Sequence, residues 1–138
     1  MKKIITLTLI FFSLITLNAQ IGLTKAEIIE EFGTTFEEDK TTDDKTPYIV
    51  YEKEFDTKAS GKYTRKSAFY FTENKSKELI CFLRKVIEPS SEINSFVKYY
   101  NGKGYVKINE LKWKNYENNI AYELEIDDGS CILSVYRD

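Results

Sequence analysis

The chain opens with an apolar run that differs from everything after it. Lys2 and Lys3 come first, and residues 4–17 are aliphatic or aromatic except for threonine and serine. A positive start, a short apolar stretch and the small residue Ala19 are typical of a secretory signal peptide. A membrane-spanning helix needs roughly 20 apolar residues, which is more than this run supplies. We therefore predict a signal peptide at 1–19 and an exported protein, periplasmic or secreted, that does not span the membrane after cleavage.

Beyond the leader, the apolar spacing alternates between that of helices and that of strands. Thr24 and Glu27 have the spacing of a capping box, and apolar residues at 28, 29 and 32 predict a helix that stops at Gly33. Apolar residues at 93, 96, 97 and 100 recur at i, i+3, i+4 and i+7, which predicts a second helix after Pro89. Runs typical of strands, bounded by turn residues, lie at 48–55, 67–72, 79–87, 110–116, 120–126 and 131–136.

The order of these elements is helix, strand, strand, strand, and then the same again. It predicts an α+β fold of two helix-strand-strand-strand units, with an antiparallel sheet and the helices packed on one face. Residues 20–138 would form a single domain, with polar loops at 34–46 and 56–66. The halves 22–88 and 89–138 are either a true duplication or two segments whose element order coincides by chance, because few residues are identical between them.

The absence of histidine narrows the chemistry that this chain can perform. None of its 138 residues is histidine, so neither a Ser-His-Asp triad nor a Cys-His pair can form. Two cysteines alone do not complete a structural zinc site. The acidic pairs are adjacent in sequence, and adjacent side chains do not face one another on a helix or a strand. We predict no catalytic residue, no metal site and no cofactor, and hence a protein that is not an enzyme.

The net charge argues against a nucleic-acid partner. Two of the 20 basic residues, Lys2 and Lys3, lie in the leader, so 18 basic and 22 acidic residues remain, a net charge of −4. Nucleic-acid-binding domains present a basic surface instead.

Cys81 and Cys131 are the chain's two cysteines. One alternative is a disulfide, which would persist in the oxidising environment of the periplasm or the cell exterior and would stabilise the fold by about 4 kcal/mol. The other alternative is a pair of buried thiols that act as small hydrophobic side chains, since both cysteines are flanked by apolar residues. The sequence leaves both open, because a disulfide depends on the distance between the cysteines.

Aromatic residues are abundant, with ten tyrosines, nine phenylalanines and one tryptophan. Such residues are enriched at binding surfaces, but they also suit strands. Tyrosines at alternating strand positions are therefore expected in the core or half-buried in the sheet. The candidates for a binding surface are the aromatic residues Tyr63, Tyr99, Tyr105, Trp113 and Tyr116.

The segment Gly-Leu-Thr-Lys-Ala-Glu-Ile-Ile at 22–29, followed by Phe32 and Gly33, resembles small exported proteins of the outer-membrane assembly lipoprotein E type. The doubled order of helix and sheet is similar to that of the β-lactamase inhibitor protein family. The resemblance covers residues 22–33 and otherwise only the order of elements, and the chain lacks a lipid-carrying cysteine after its leader. It implies tandem helix-plus-antiparallel-sheet units and a tendency to bind other proteins, and it transfers no functional residue.

These observations favour a non-enzymatic exported protein that binds another protein in the cell envelope or outside the cell. The alternative is a small-ligand or glycan-binding domain that uses an aromatic sheet face. A deep cleft lined by tyrosine would favour this alternative over a flat surface. An enzyme would require two non-adjacent carboxylates to converge in a cleft.

Overall fold

The computed structural model describes residues 20–138, so the predicted signal peptide at 1–19 lies outside the described residues. The elements in chain order are helix α1 (Lys25–Phe32), strands β1 (Glu37–Lys40), β2 (Pro47–Thr57), β3 (Gly61–Glu73) and β4 (Leu79–Pro89), a 3-10 turn (Ser90–Glu92), helix α2 (Ile93–Asn101), and strands β5 (Val106–Asn109), β6 (Lys112–Asn115), β7 (Ile120–Asp127) and β8 (Ser130–Arg137).

The eight strands form one antiparallel sheet in the order β1-β2-β3-β4-β8-β7-β6-β5. Two meanders of four strands, each preceded by a helix, meet where β4 pairs with β8. The expected α+β class with helix-strand-strand-strand units is therefore wrong. The fold is mostly β, because the sheet outweighs two helices of eight and nine residues, and each half contains a fourth strand. Whether the halves arose by duplication stays a prediction.

The two strands that the sequence did not predict are the sheet edges. β1 lies within the expected loop 34–46, and β5 lies in a stretch without a predicted element. Each has four residues, and all eight side chains are exposed. Because both strands are short and exposed, they carry none of the buried alternation that reveals a strand.

One face of the sheet carries both helices, and we call it the helix face. Directly opposed residues of antiparallel strands share a face. Phe32 of α1 packs on Phe69 with 5.1 Å between ring centroids, and Tyr100 of α2 packs on Tyr122 at 4.8 Å. The register places these contacts in one row across five strands of the sheet, made up of Phe69, Arg84, Val135, Tyr122 and Trp113.

The start of α1 confirms the predicted capping box. The Thr24 hydroxyl accepts from the backbone N–H of Glu27, and the Glu27 carboxylate accepts from the backbone N–H of Thr24, both at 3.1 Å. The helix ends at Gly33, whose φ of +100° suits glycine better than any other residue. The Tyr51 hydroxyl donates to the carbonyl oxygen of Gly33 at 2.7 Å, which fixes the end of the helix to β2.

The geometry decides between the two alternatives for the cysteines. Both are free and buried. Cys131 lies opposite Glu88 in the register, seven residues along β4 from Cys81, which corresponds to about 23 Å of extended strand. A disulfide requires Cα atoms within about 7 Å, so the bridge is excluded and the cysteines act as buried thiols.

Candidate functional site

A cavity of about 600 Å³ lies on the helix face beside α2. Its floor is apolar and consists of Val86 from β4 together with Leu133 and Val135 from β8, the two central strands. Side chains of α2 and of the loop after it form one wall, and the β2–β3 hairpin forms the other. The volume lies within the range of about 300–1,000 Å³ that is usual for small-molecule sites.

The wall beside α2 is aromatic. Tyr105 stacks on Tyr122 with ring centroids 5.2 Å apart and ring planes at 8°, and Tyr100 of α2 packs against the Tyr122 ring from the helix side. Burial raises the pKa of Tyr100 and of Tyr122, so both phenols are uncharged over the physiological range. Tyr99 and Phe96 complete the wall, and Tyr99 is more than half exposed at the mouth of the cavity. The wall thus offers several ring faces and edges to an occupant.

The opposite wall carries an ion pair that rests on an aromatic stack. Arg65 of β3 pairs with the buried carboxylate of Glu88 on β4. Its guanidinium lies over the ring of Phe55 at 4.2 Å, and that ring stacks on Tyr63 at 5.8 Å. The guanidinium is therefore held between a carboxylate and a ring, which limits its freedom before any ligand arrives.

Two buried carboxylates lie at this end of the cavity. Glu88 and Glu92 are each only 4% exposed, and the Thr57 hydroxyl donates to Glu92 at 2.5 Å. Burial raises the pKa of Tyr63 to about 12, and the negative charges of the two carboxylates add to this effect. Burial likewise raises the pKa of Cys131 to about 11, again with a contribution from both carboxylates. The two carboxylates therefore act on the same neighbours and make this end of the cavity negative.

Arg84 lies at the other end of the cavity. It is four residues from Glu88 along β4, about 13 Å in an extended strand. Its Nη1 donates to the Gln20 Oε1 at 2.6 Å, and its guanidinium lies 5.0 Å from the centroid of the Phe69 ring. Its Nε is buried and has no hydrogen-bond partner. Burial lowers the pKa of Arg84, and the nearby positive charge of Arg65 adds to this effect.

The structure brings together three of the five aromatic residues that the sequence proposed for binding. Tyr63, Tyr99 and Tyr105 all line the cavity, although they come from β3, from α2 and from the loop after it. Trp113 is fully buried in the core instead. Tyr116 is 56% exposed, does not line the cavity, and has the Lys114 ammonium 4.7 Å from its ring.

The sequence did not identify the charged residues of the cavity. Arg84 fell within the predicted strand 79–87 without a role, Glu88 lay just beyond that strand, and Arg65 was assigned to the loop 56–66, which the structure largely replaces by the ends of β2 and β3. One signal was present in the sequence. Arg84 and Glu88 share the strand parity of the buried Val86, so both charges point to the side on which the core lies.

The described part of the chain offers few other sites. In residues 20–138, no group of three or more His, Cys, Asp and Glu side chains comes close enough to hold a metal ion. Neither described helix has the length and apolar character that crossing a bilayer requires. The candidate site is thus the cavity beside α2, which has an aromatic wall, an anionic end at Glu88 and Glu92, and a cationic end at Arg84. Comparisons of the chain with protein-family models, with curated proteins and with solved structures found no match.

Proposed function

We propose that this protein binds a small molecule that contains at least one ring, in the cavity beside α2, and that it acts as a binding protein and not as an enzyme. The observation that carries this proposal is the composition of the cavity. Aromatic rings and buried charged groups surround one volume of about 600 Å³ above an apolar floor. Small-molecule sites typically combine a mostly apolar lining with a few fixed polar groups in this way.

The side chains of the cavity are held in place by one another. Tyr105 and Tyr122 form a stacked pair, and Arg65 is fixed by its contacts with Glu88 and Phe55. Binding costs less when side chains are already ordered, because each flexible side chain that must be immobilised costs about 0.5–1.5 kcal/mol. This preorganisation favours a defined ligand over an unspecific apolar contact.

The test uses 2-naphthol, an uncharged compound of two fused rings, in isothermal titration calorimetry. Ser95 is exposed on α2 and lines the cavity, whereas its neighbour Asn94 is exposed and does not line it. We expect Ser95→Trp to fill the mouth and weaken binding at least tenfold, and Asn94→Trp to leave it unchanged. Amide chemical shifts should change at cavity residues on titration. Absence of binding by this and every related naphthalene probe, or equal affinity in both variants, would overturn the proposal.

A protein partner is the second candidate function, and the outer edge of β5 favours it. β5 ends the sheet, and Val106 and Ile108 on it are 52% and 45% exposed. An extended segment of another protein could add a strand at such an edge. A photo-crosslinking amino acid at Ile108 should give a discrete adduct in cells, and the same group at Asp39 on the opposite edge should not. Equal or absent adducts would refute this candidate.

We also propose that the protein is exported, and the signal-peptide pattern of residues 1–19 supports this proposal. The mature protein would begin at Gln20. N-terminal sequencing of the protein recovered from the periplasm or the medium should start at that residue, and recovery of the full-length chain from the cytoplasm would contradict export.

A further inference from the structure

Arg84 is a cation of the cavity that has no acidic partner among the described residues. None of the ion pairs formed within residues 20–138 includes it. Its Nη1 donates to the neutral side-chain amide of Gln20, and that amide donates in turn to Glu31 at 3.4 Å. Arg84 is therefore connected to the carboxylate of Glu31 only indirectly, through the side-chain amide of Gln20.

The guanidinium of Arg84 is also incompletely hydrogen-bonded. Its Nε is buried without a partner, and a buried donor left without one destabilises the fold. An arginine cannot relieve this cost by losing its proton at neutral pH. The rings of Phe69 and Phe32 lie 5.0 and 5.7 Å from the guanidinium and provide part of the compensation. Glu31 acts on the guanidinium from a distance, but no carboxylate of the described residues forms an ion pair with it.

The other charged residues of the cavity indicate which kind of ligand would neutralise Arg84. Glu88 pairs with Arg65, and Glu92 accepts from Thr57 at the same end. The Lys103 ammonium lies over the Tyr99 ring at 4.8 Å near the mouth. A cationic ligand at the Arg84 end would meet a guanidinium that forms no ion pair among the described residues, and the positive charge of Arg65 adds to the repulsion. An anionic ligand would instead find a planar donor group that suits carboxylate and phosphate oxygens.

We propose that the ligand of this cavity carries an anionic group, a carboxylate or a phosphate, and that Arg84 binds this group while Tyr100 and Tyr122 contact the ring. This inference rests on the proposed function, because it concerns the same cavity. The anion lies at the end away from Glu88 and Glu92, so the two carboxylates do not oppose it. The cavity thereby orients its ligand along β4.

The test compares three probes that share the naphthalene ring, namely 2-naphthol, 2-naphthoate and 2-naphthyl phosphate, by isothermal titration calorimetry at neutral pH and low salt. We expect at least one of the anions to bind tenfold or more tightly than 2-naphthol. If 2-naphthoate shows this gain the ligand carries a carboxylate, and if 2-naphthyl phosphate shows it the ligand carries a phosphate. Arg84→Gln should abolish the ratio of anion affinity to 2-naphthol affinity. Lys85→Gln should preserve the ratio, because Lys85 belongs to the same strand but does not line the cavity.

The outcomes separate this inference from the proposed function. If 2-naphthol binds and neither anion binds more tightly, or if the ratio persists in Arg84→Gln, the assignment of an anionic ligand is wrong and the cavity remains a ligand site. If no probe binds, the proposed function itself fails. Should Arg84→Gln not fold, Arg84→Lys serves instead. Lysine keeps the charge but loses the planar donor group, so the ratio should fall without disappearing, and an unchanged ratio would refute the role of Arg84.

Discussion

The two buried thiols make the stability of this protein sensitive to alkaline pH. Burial raises the pKa of Cys81, and likewise that of Cys131, from 9.0 to about 11. Below pH 9 the thiols are protonated in both the folded and the unfolded chain, and they cause no difference in stability. Between pH 9 and 11 the unfolded chain releases these protons while the folded chain retains them. The unfolded state is then favoured, so the free energy of unfolding falls as the pH rises.

The magnitude follows from the shift in pKa. One pKa unit corresponds to about 1.36 kcal/mol, so at pH 10 each thiol lowers the free energy of unfolding by roughly 1–2 kcal/mol. Cys81 and Cys131 are 1% and 0% exposed, which is the burial that raises their pKa values. Together they account for about 3 kcal/mol, which is a large part of the roughly 5–15 kcal/mol that stabilises a typical domain.

Urea unfolding of the reduced protein at pH 7.5 and pH 10 measures this loss. The control is the double variant Cys81→Ala/Cys131→Ala, which retains the tyrosines and lacks both titrating thiols. The wild-type protein should lose about 3 kcal/mol more than the variant between the two pH values. Each single variant should recover about half of that difference. Equal losses in wild type and double variant would refute the burial of the thiols, and fewer than two reactive thiols in the denatured, unreduced protein would refute their free state.

Three further predictions concern single side chains, each measured by urea unfolding at pH 7.5. Arg65→Met leaves a buried carboxylate without its ion-pair partner and should cost about 2–3 kcal/mol in stability, which is less than for a fully buried pair because the arginine is one-third exposed. Its control is Lys66→Met, which removes an exposed ion pair of 4.0 Å and should cost less than about 1 kcal/mol. Trp113→Ala should cost about 3–5 kcal/mol, since the indole is fully buried, whereas Tyr116→Ala should stay within about 0.5 kcal/mol. Thr24→Ala should cost about 1 kcal/mol through loss of the capping box, and Thr24→Ser should cost little.

Equal costs within either matched pair of substitutions would contradict the burial on which that prediction depends. For the helix cap, the two threonine variants must differ, because only serine retains the hydroxyl oxygen that accepts the backbone hydrogen bond.

The parts of the fold that follow from the sequence are those in which local rules and burial agree. The capping box of α1 was predictable because its two residues act on each other across one turn. The strand β7 was predictable because large apolar residues occupy every second position of its sequence from Ile120 to Ile126, and the turn at Asp128 and Gly129 because both residues adopt the positive φ angles that a tight hairpin requires. These features need no information from distant parts of the chain.

The bulge in β4 shows where local rules end. The register between β3 and β4 shifts so that Phe82 has no partner in β3. The extra residue reverses the alternation, which buries Cys81 and leaves Phe82 41% exposed. A period-2 pattern read along the sequence would bury the phenylalanine, because nothing local distinguishes a bulged strand from a regular one.

The charged residues of the cavity were missed for a related reason. Strand prediction relies on apolar residues at the positions that face the core. Here several such positions face a cavity that contains charged side chains, so Arg65 and Tyr63 looked like part of a loop although they belong to β3. A strand that contributes charged residues to a cavity loses the pattern by which strands are predicted.

The width of the sheet and the shortness of the helices together account for the cavity and for its charge. Eight strands at about 4.8 Å spacing span about 34 Å, and two helices of about 10 Å diameter cover roughly 20 Å of that width. The remaining part of the helix face lies above β4 and β8, the central strands of the sheet. A closely packed core at that position would not accept Arg84 or Glu88, because a buried charge without compensation is too costly. An open volume accepts them, and in the proposed function they set the polarity that orients a ligand. The same element order that joins two meanders at β4 and β8 thus places the cavity at their junction.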